Sequence, residues 1–208
     1  MRFTGRALTL ALFLQLAWLG GCASWATRDS ARLSTASPPG WQNHRAAMLA
    51  ISGWHIKGKI GYRSDADAGS AWLDWRQHQE QFDLHLGGPF GAGTVQLVGD
   101  ERSAILRQAD EPEISAHSAA DLSVKVLGWR LPVDALVYWI RGIPAPQQSH
   151  TEAHYTPDGA LNRFEQSGWQ LKLSRYRDTS AGRLPGKIIA TRDSVRFTLL
   201  IQDIQLPI

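Results

Sequence analysis

The stretch Trp54-His55-Ile56-Lys57-Gly58-Lys59-Ile60-Gly61-Tyr62-Arg63 alternates: Trp54, Ile56, Gly58, Ile60 and Tyr62 share one parity, and His55, Lys57, Lys59 and Arg63 take the other. Successive side chains of a strand point to opposite faces, so this pattern describes a half-buried antiparallel strand with one face in water. The same signal recurs downstream in Ala71–Arg76, in Gln81–Leu86, and, after Gly87–Gly93, in Thr94–Val98 and Ser103–Arg107. Asp65–Gly69 and Gly99-Asp100 supply turns between them, which gives a meander. Four more strands are expected over Leu161–Ser167, Trp169–Tyr176, Lys187–Arg192 and Val195–Ile201.

Helical periodicity appears in three places. Pro39-Gly40 opens a short helix through Ile51, with Trp41, His44/Arg45, Met48 and Ile51 at helical spacing. A second runs from Ser118, placed as its N-cap, to Leu127, with Gly128 at its end. A third covers Val133–Arg141, with Pro132 in its first turn and Gly142-Ile143-Pro144 stopping it. Strands, helices, strands: this order predicts a mainly β fold, a curved antiparallel sheet with helices over one face or mouth.

The N-terminus is of another kind. Arg2 and Arg6 precede an apolar run from Ala7 to Leu19, and the only cysteine, Cys22, closes Leu19-Gly20-Gly21-Cys22. Thirteen apolar-region residues are too few for a bilayer, which takes roughly 20. The segment reads as a removable signal peptide, and its end resembles a bacterial lipoprotein box. Residues 1–21 are then the signal, and Cys22 becomes the first mature residue, carrying S-diacylglycerol and an N-acyl chain. Residues 22–39 (CASWATRDSARLSTASPP), rich in Ala, Ser, Thr and Pro, form a flexible tether, and 40–208 are the folded domain. No Asp follows Cys22; the next residues are Ala23 and Ser24.

Composition narrows the function. The formal charge of +3 loses Arg2 and Arg6 with the signal, so the sequence pI of about 9.2 overstates the basicity of the working protein. No Lys/Arg run suggests nucleic acid. The histidines are scattered. His150 and His154 have i, i+4 spacing, but Pro144, Pro146 and Pro157 flank them, so no metal site is expected. No G-x-S-x-G or H-E-x-x-H occurs, and the glycine-rich Gly88–Gly93 lacks a following Lys-Ser/Thr and leads into a strand. No enzymatic activity and no cofactor beyond the lipid on Cys22 are expected.

Two features stand out. In Gly87-Gly88-Pro89-Phe90-Gly91 a phenylalanine sits among glycines, with Pro89 fixing the turn; Phe90 either reaches a bilayer or partner pocket, or folds back into the core. Nine tryptophans are a heavy load for one domain. Trp54, Tyr62, Trp72, Trp75, Phe82 and Trp169 fall on strands and Trp139 on the third helix. They form either a filled core or the wall of a cavity for acyl chains. Trp72 and Trp75 differ in parity, so one faces inward and the other outward.

From Trp41 to the C-terminus the chain resembles the LolB family of outer-membrane lipoprotein receptors. The resemblance rests on the box at Cys22, on Trp41-Gln42-x-His44, on Gly58-Lys59-Ile60-Gly61-Tyr62 and on the strand ending in Trp75. It rests also on Gly88-Pro89-Phe90-Gly91, on Leu136-x-x-Trp139-Ile140-x-Gly142-x-Pro144 and on Trp169. It implies an incomplete antiparallel β-barrel covered by helices around a hydrophobic cavity. It also implies a monomer held at the periplasmic side of the outer membrane, which takes lipoprotein cargo by its acyl chains from the periplasmic carrier LolA. The family's loop carries an apolar residue, usually Leu, linked to membrane insertion; here that residue is Phe90. Lys57, Lys59, Arg63 and Arg76 would meet an acidic rim on the carrier. The other readings of the same residues are a general lipid-binding module and a structural lipoprotein.

Overall fold

The computed structural model describes residues 33–88 and 93–206. The signal segment and Cys22, and Pro89, Phe90 and Gly91 of the glycine-rich loop, lie outside them.

Helix α1 (Trp41–Leu49) precedes a run of six strands: β1 (Gly53–Arg63), β2 (Ala68–His78), β3 (Gln81–Gly87), β4 (Thr94–Gly99), β5 (Ala104–Gln108) and β6 (Ile114–Ala116). Helices α2 (Ala119–Leu127) and α3 (Val133–Trp139) follow. The chain then returns through β7 (His150–Tyr155), β8 (Leu161–Gln166), β9 (Trp169–Ser174), the small hairpin β10 (Arg177–Thr179) and β11 (Gly182–Leu184), β12 (Lys187–Arg192) and β13 (Val195–Gln205). Eleven strands form one antiparallel sheet in the order β6-β5-β4-β3-β2-β1-β13-β12-β9-β8-β7, and β10 pairs only with β11. The two end strands do not pair with each other, so this is an incomplete barrel with helices against its inner face.

The long strands β1 and β13 join the two meanders (Tyr62 opposite Phe197, Ile60 opposite Leu199). Their ladder shifts between Lys57 and Gly58, and there β13 comes close: a Cβ on Gly58 would lie 2.0 Å from the Leu200 carbonyl oxygen. Only glycine fits that position. The inner parity is buried as the alternation demands, with Trp54 and Ile56 of β1, Leu73 and Trp75 of β2, and Phe197 and Leu199 of β13 all at 3% exposure or less.

Some boundaries differ from the expected ones. The strand expected through Tyr176 stops at Ser174, because Arg175 turns the chain at φ 57. The helix expected to Arg141 ends at Trp139, after which Gly142 adopts φ 75. Ser118 does cap α2, accepting from the Asp121 amide at 3.0 Å, and Gly128 closes it in the left-handed region. Strand β7 was hidden because Glu152, at φ 53, breaks its alternation.

One side chain fastens the helical return to the sheet. Gln166 of β8 is 1% exposed and uses all four of its hydrogen-bonding positions. Its Oε1 accepts from Trp139 Nε1 and from the Ala145 amide, each at 2.9 Å. Its Nε2 donates to the carbonyls of Ala145 and Gln148, again at 2.9 Å. Arg141, also buried, makes the second tie: its guanidinium donates to the carbonyls of Val137, Met48 and Ile51, and so joins α3 to the end of α1 and the entry to β1. Burial lowers its pKa from the ordinary arginine value.

Replacing Gln166 by Leu strands two buried donors and two carbonyls, each costing about 1–3 kcal/mol. The expected loss is about 3 kcal/mol or more, read from the urea midpoint. A second expectation concerns pH. Burial, then the charge of Arg183, lowers the pKa of His44 below 6.5, and burial, then Arg45, lowers that of His150. Between those lowered values and the ordinary one the unfolded chain binds more protons than the folded one, so stability rises with pH across that window. Acidification from about pH 7.5 to about pH 5.5 should lower the unfolding midpoint, and the pair His44→Gln and His150→Gln should flatten that dependence.

Candidate functional site

The two halves of the sheet are filled differently. Under β8, β9, β12 and β13 the interior is a solid aromatic cluster. Trp139 stacks on Phe197 at 6.5 Å and meets Phe164 edge-on at 6.3 Å, and Trp169 meets Phe197 at 5.3 Å. Under β1 to β5 there is space instead: a cavity of about 350 Å³. Its wall comes from the inner parity of the first meander (Leu73 and Trp75 of β2, Leu84 and Leu86 of β3, Val95 and Leu97 of β4). The roof comes from α2, whose Ala119, Leu122, Val126 and Leu127 line it, and from the segment leading into α3. At one end the lining reaches Ser70, Ala71, Gly87, Gly88 and Gly93, beside the glycine-rich loop.

The chemistry of this cavity is uniform. Among the described residues no titratable side chain lines it; the polar side-chain groups there are the hydroxyls of Ser70 and Ser123 and the indole N–H of Trp75. The Ser123 hydroxyl donates to the Ala120 carbonyl at 2.7 Å and accepts from the Leu131 amide at 2.8 Å, so it is committed to holding the α2–α3 turn. The Trp75 N–H donates to Gln77 Oε1 at 3.0 Å. Apart from the Ser70 hydroxyl at the exposed rim, a guest meets apolar surface, and what the site offers is removal from water and dispersion contact.

Of the seven aromatic residues expected near acyl chains, Trp75 alone lines this cavity. Trp54 lies behind it, edge-on at 4.9 Å and 1% exposed. Trp139 and Trp169 belong to the aromatic half, the former tied to Gln166 and the latter covered by the Arg192 guanidinium at 4.6 Å. Tyr62 sits at the β1–β2 turn and donates to Asp67 at 2.5 Å, which raises its own pKa and lowers that of Asp67. Phe82 borders a neighbouring cleft of about 460 Å³ with acidic residues (Glu80, Asp100, Glu101, Asp134) and Arg141. Trp72 points outward at 37% exposure, and its indole lies over Gly87, where a Cβ would fall 2.0 Å from Nε1. A buried indole N–H needs an acceptor, and Trp75 and Trp139 each find one in a glutamine; apart from Trp75 the described lining consists mainly of aliphatic residues. Those were legible as the inner-parity Leu and Val of the first meander and the i, i+4 pair Leu122 and Val126.

Lys57, Lys59, Arg63 and Arg76 are exposed on the outer face of the sheet, opposite the cavity, where Asp74 lies between His55 at 2.7 Å and Lys57 at 3.9 Å. His150 and His154 lie in β7 on either side of the Glu152 irregularity, and no group of three or more potential metal ligands forms among the described residues. No helix among the described residues is long and apolar enough to cross a membrane.

A family model described as outer membrane lipoprotein LolB matches residues 52–203. The outer-membrane lipoprotein LolB of Cellvibrio japonicus is 38% identical over 207 residues, covering 98% of each chain. Those of Pseudomonas putida and Pseudomonas paraeruginosa are 34% and 35% identical, covering 93% and 95% of this chain and 93% and 97% of theirs. Among solved structures, a LolA superfamily protein of Nitrosomonas europaea aligns at 9% identity over 80% of this chain and 93% of its own, with a TM-score of 0.49. With the model spanning most of the domain and the identities extending over nearly the full length, the chain belongs to the LolB family of outer-membrane lipoproteins.

Proposed function

We propose that this protein is the receptor that accepts lipidated proteins from the periplasmic carrier LolA and delivers them into the outer membrane. In this reading residues 1–21 are removed, Cys22 carries the acyl chains that hold the protein at the periplasmic side of that membrane, and the tether expected over 22–39 is shorter than that, because Ser34 already pairs with Tyr155 of β7 through both backbone groups. The observation that carries the reading is an apolar cavity, whose described lining holds no titratable group, in a chain of the LolB family. Such a cavity suits transfer by partition, in which no bond is made or broken and no cofactor takes part.

The energetics follow from the cargo. Each CH₂ of an acyl chain is worth about 0.8 kcal/mol against water, so a free triacyl anchor in the periplasm would cost tens of kcal/mol. Direct passage from the carrier's apolar site into this one avoids that cost. Direction then requires only a tighter fit here, about 1.4 kcal/mol for each tenfold preference. Phe90, within the glycine-rich Gly87–Gly93 stretch, is the residue we assign to opening the bilayer surface for release.

The test mixes the protein with carrier loaded with a lipidated protein and asks by pull-down whether cargo changes hands without nucleotide. Transfer is expected; a folded receptor and a competent carrier that exchange nothing would move the assignment to general lipid binding. Ala71, half-buried at the cavity's edge, gives the matching variant. Ala71→Trp should leave the urea midpoint near that of the parent, yet cut both apolar-dye binding and cargo uptake about tenfold, the equivalent of ~1.4 kcal/mol. Phe90→Glu should take cargo normally and fail at delivery to vesicles; unchanged delivery would sink its assigned role.

A further inference from the structure

We propose that the last turn of α2 lies in the outer-membrane interface and forms, beside the glycine-rich loop, a second contact through which the cavity opens onto the bilayer; this rests on the receptor reading above. Helix α2 is apolar over a wider arc than its packing uses. At 100° per residue, the positions from Leu122 through Val126, Ala119, Ser123 and Leu127 to Val124 span about 200°, where a core-facing stripe needs roughly half of that. In the first turns this arc is buried, with Ala119, Ala120 and Leu122 at 4% exposure or less. In the last turn it is not: Val124, Val126 and Leu127 are 43%, 45% and 39% exposed. These are three of the six large hydrophobic side chains exposed among the described residues, and a fourth, Ile114, belongs to β6, the strand packed beside α2.

Three observations choose the bilayer as the occupant of this face. The first is continuity. Val126 and Leu127 line the cavity as well as the surface, and the lining runs from them to Gly88 and Gly93. A guest leaving the cavity past α2 would cross only apolar side chains if membrane lay against them, and would meet water if it did not. The second is composition: the sequence Val124-Lys125-Val126-Leu127-Gly128-Trp129-Arg130 sets aliphatic residues and a half-buried tryptophan between two cations, the arrangement of interfacial helices. Lys125 spends one N–H on the Ser115 carbonyl at 2.7 Å, which leaves two for a headgroup phosphate; Arg130 pairs with Asp121. The third is reach. Leu33, the first described residue, is eleven steps of the chain beyond Cys22, and an extended chain covers at most about 40 Å over that many steps. A domain on so short a leash meets its own membrane far more often than any soluble partner.

The test uses the full lipidated chain in vesicles of phosphatidylethanolamine and phosphatidylglycerol. Cys22 is the only native cysteine and is blocked by its lipid, so Val124→Cys supplies a single site for a fluorophore. Val124 lies outside the cavity lining, so a signal there does not report a guest in the pocket. Quenching by nitroxide-labelled acyl chains should be at least fivefold stronger at residue 124 than in a Glu101→Cys control, which marks the acidic cleft. Equal quenching at the two sites overturns the proposal. So does shielding of residue 124 that appears only when carrier is added, since the face would then belong to the carrier. As a second reading, Val124→Asp should slow delivery into vesicles at least fivefold while uptake from the carrier stays at the parent level. Parent protein that takes no cargo at all would refute the receptor reading separately and leave the quenching result to stand on its own.

Discussion

A cavity that must stay open cannot contribute the packing that would hold its own walls apart. That constraint governs the rest of this domain. An unfilled volume costs on the order of 24 cal/mol per Å³, so the 350 Å³ under α2 corresponds to at most ~8 kcal/mol, an upper bound because the mouth is open. Domains of this size have a net stability of only about 5–15 kcal/mol. The stability has to be found elsewhere, and the two halves of the sheet show where. The Trp139–Phe164–Phe197–Trp169 cluster fills one half, and Gln166 locks the chain from Trp139 to Gln148 onto it with four hydrogen bonds. Strands β1 and β13 then carry that rigidity across to the open half through an unbroken antiparallel ladder beyond the Gly58 irregularity.

The same division explains why the polar groups of the interior sit where they do. Gln77 and Gln166 each accept from an indole N–H, and Arg141 is satisfied by backbone carbonyls. No buried side-chain polar atom among the described residues lacks a partner. Some of these bonds fasten one element to another (Gln166, Arg141) and one stays within β2 (Trp75 to Gln77), but each buried group is already paired and none is left free to face the cavity as a recognition point. Under the proposed function, a site built this way reads a cargo by its acyl chains and offers no polar group to select among the proteins attached to them.

Much of the fold was legible in the chain. The alternation of Trp54 to Tyr62, the cap at Ser118 and the stop at Gly128 each state a local rule that tertiary packing had no reason to overturn. The elements that were not legible are those where a local rule is broken. Strand β7 was hidden by Glu152 in the left-handed region, and the short β6, β10 and β11 are too brief to show a period. The site was legible in kind but not in membership. Aromatic residues on a curved sheet suggested an apolar cavity, yet aromatic bulk is what fills space, while Leu and Val line what is left. Parity could tell Trp75 from Trp72, inward from outward; it could not tell a residue lining the void from one behind it, such as Trp54, because both are inward and buried.

A void kept open at the expense of stability has a thermodynamic consequence for traffic through it. Whatever enters the folded cavity and has no place in the unfolded chain stabilises the fold by mass action. Under the proposed function, loading and folding are therefore coupled, and the cargo-bound form is the more stable one. Release must overcome that gain, and an aqueous exit would add the hydration cost of the acyl chains to it. A bilayer offers the chains an environment as apolar as the cavity and much larger, so the gain is matched as they leave. The emptied domain then returns to its less stable, receptive form. Under the proposed function, the uncharged lining and the open half of the sheet favour uptake from a carrier, while the membrane itself supplies the drive for release.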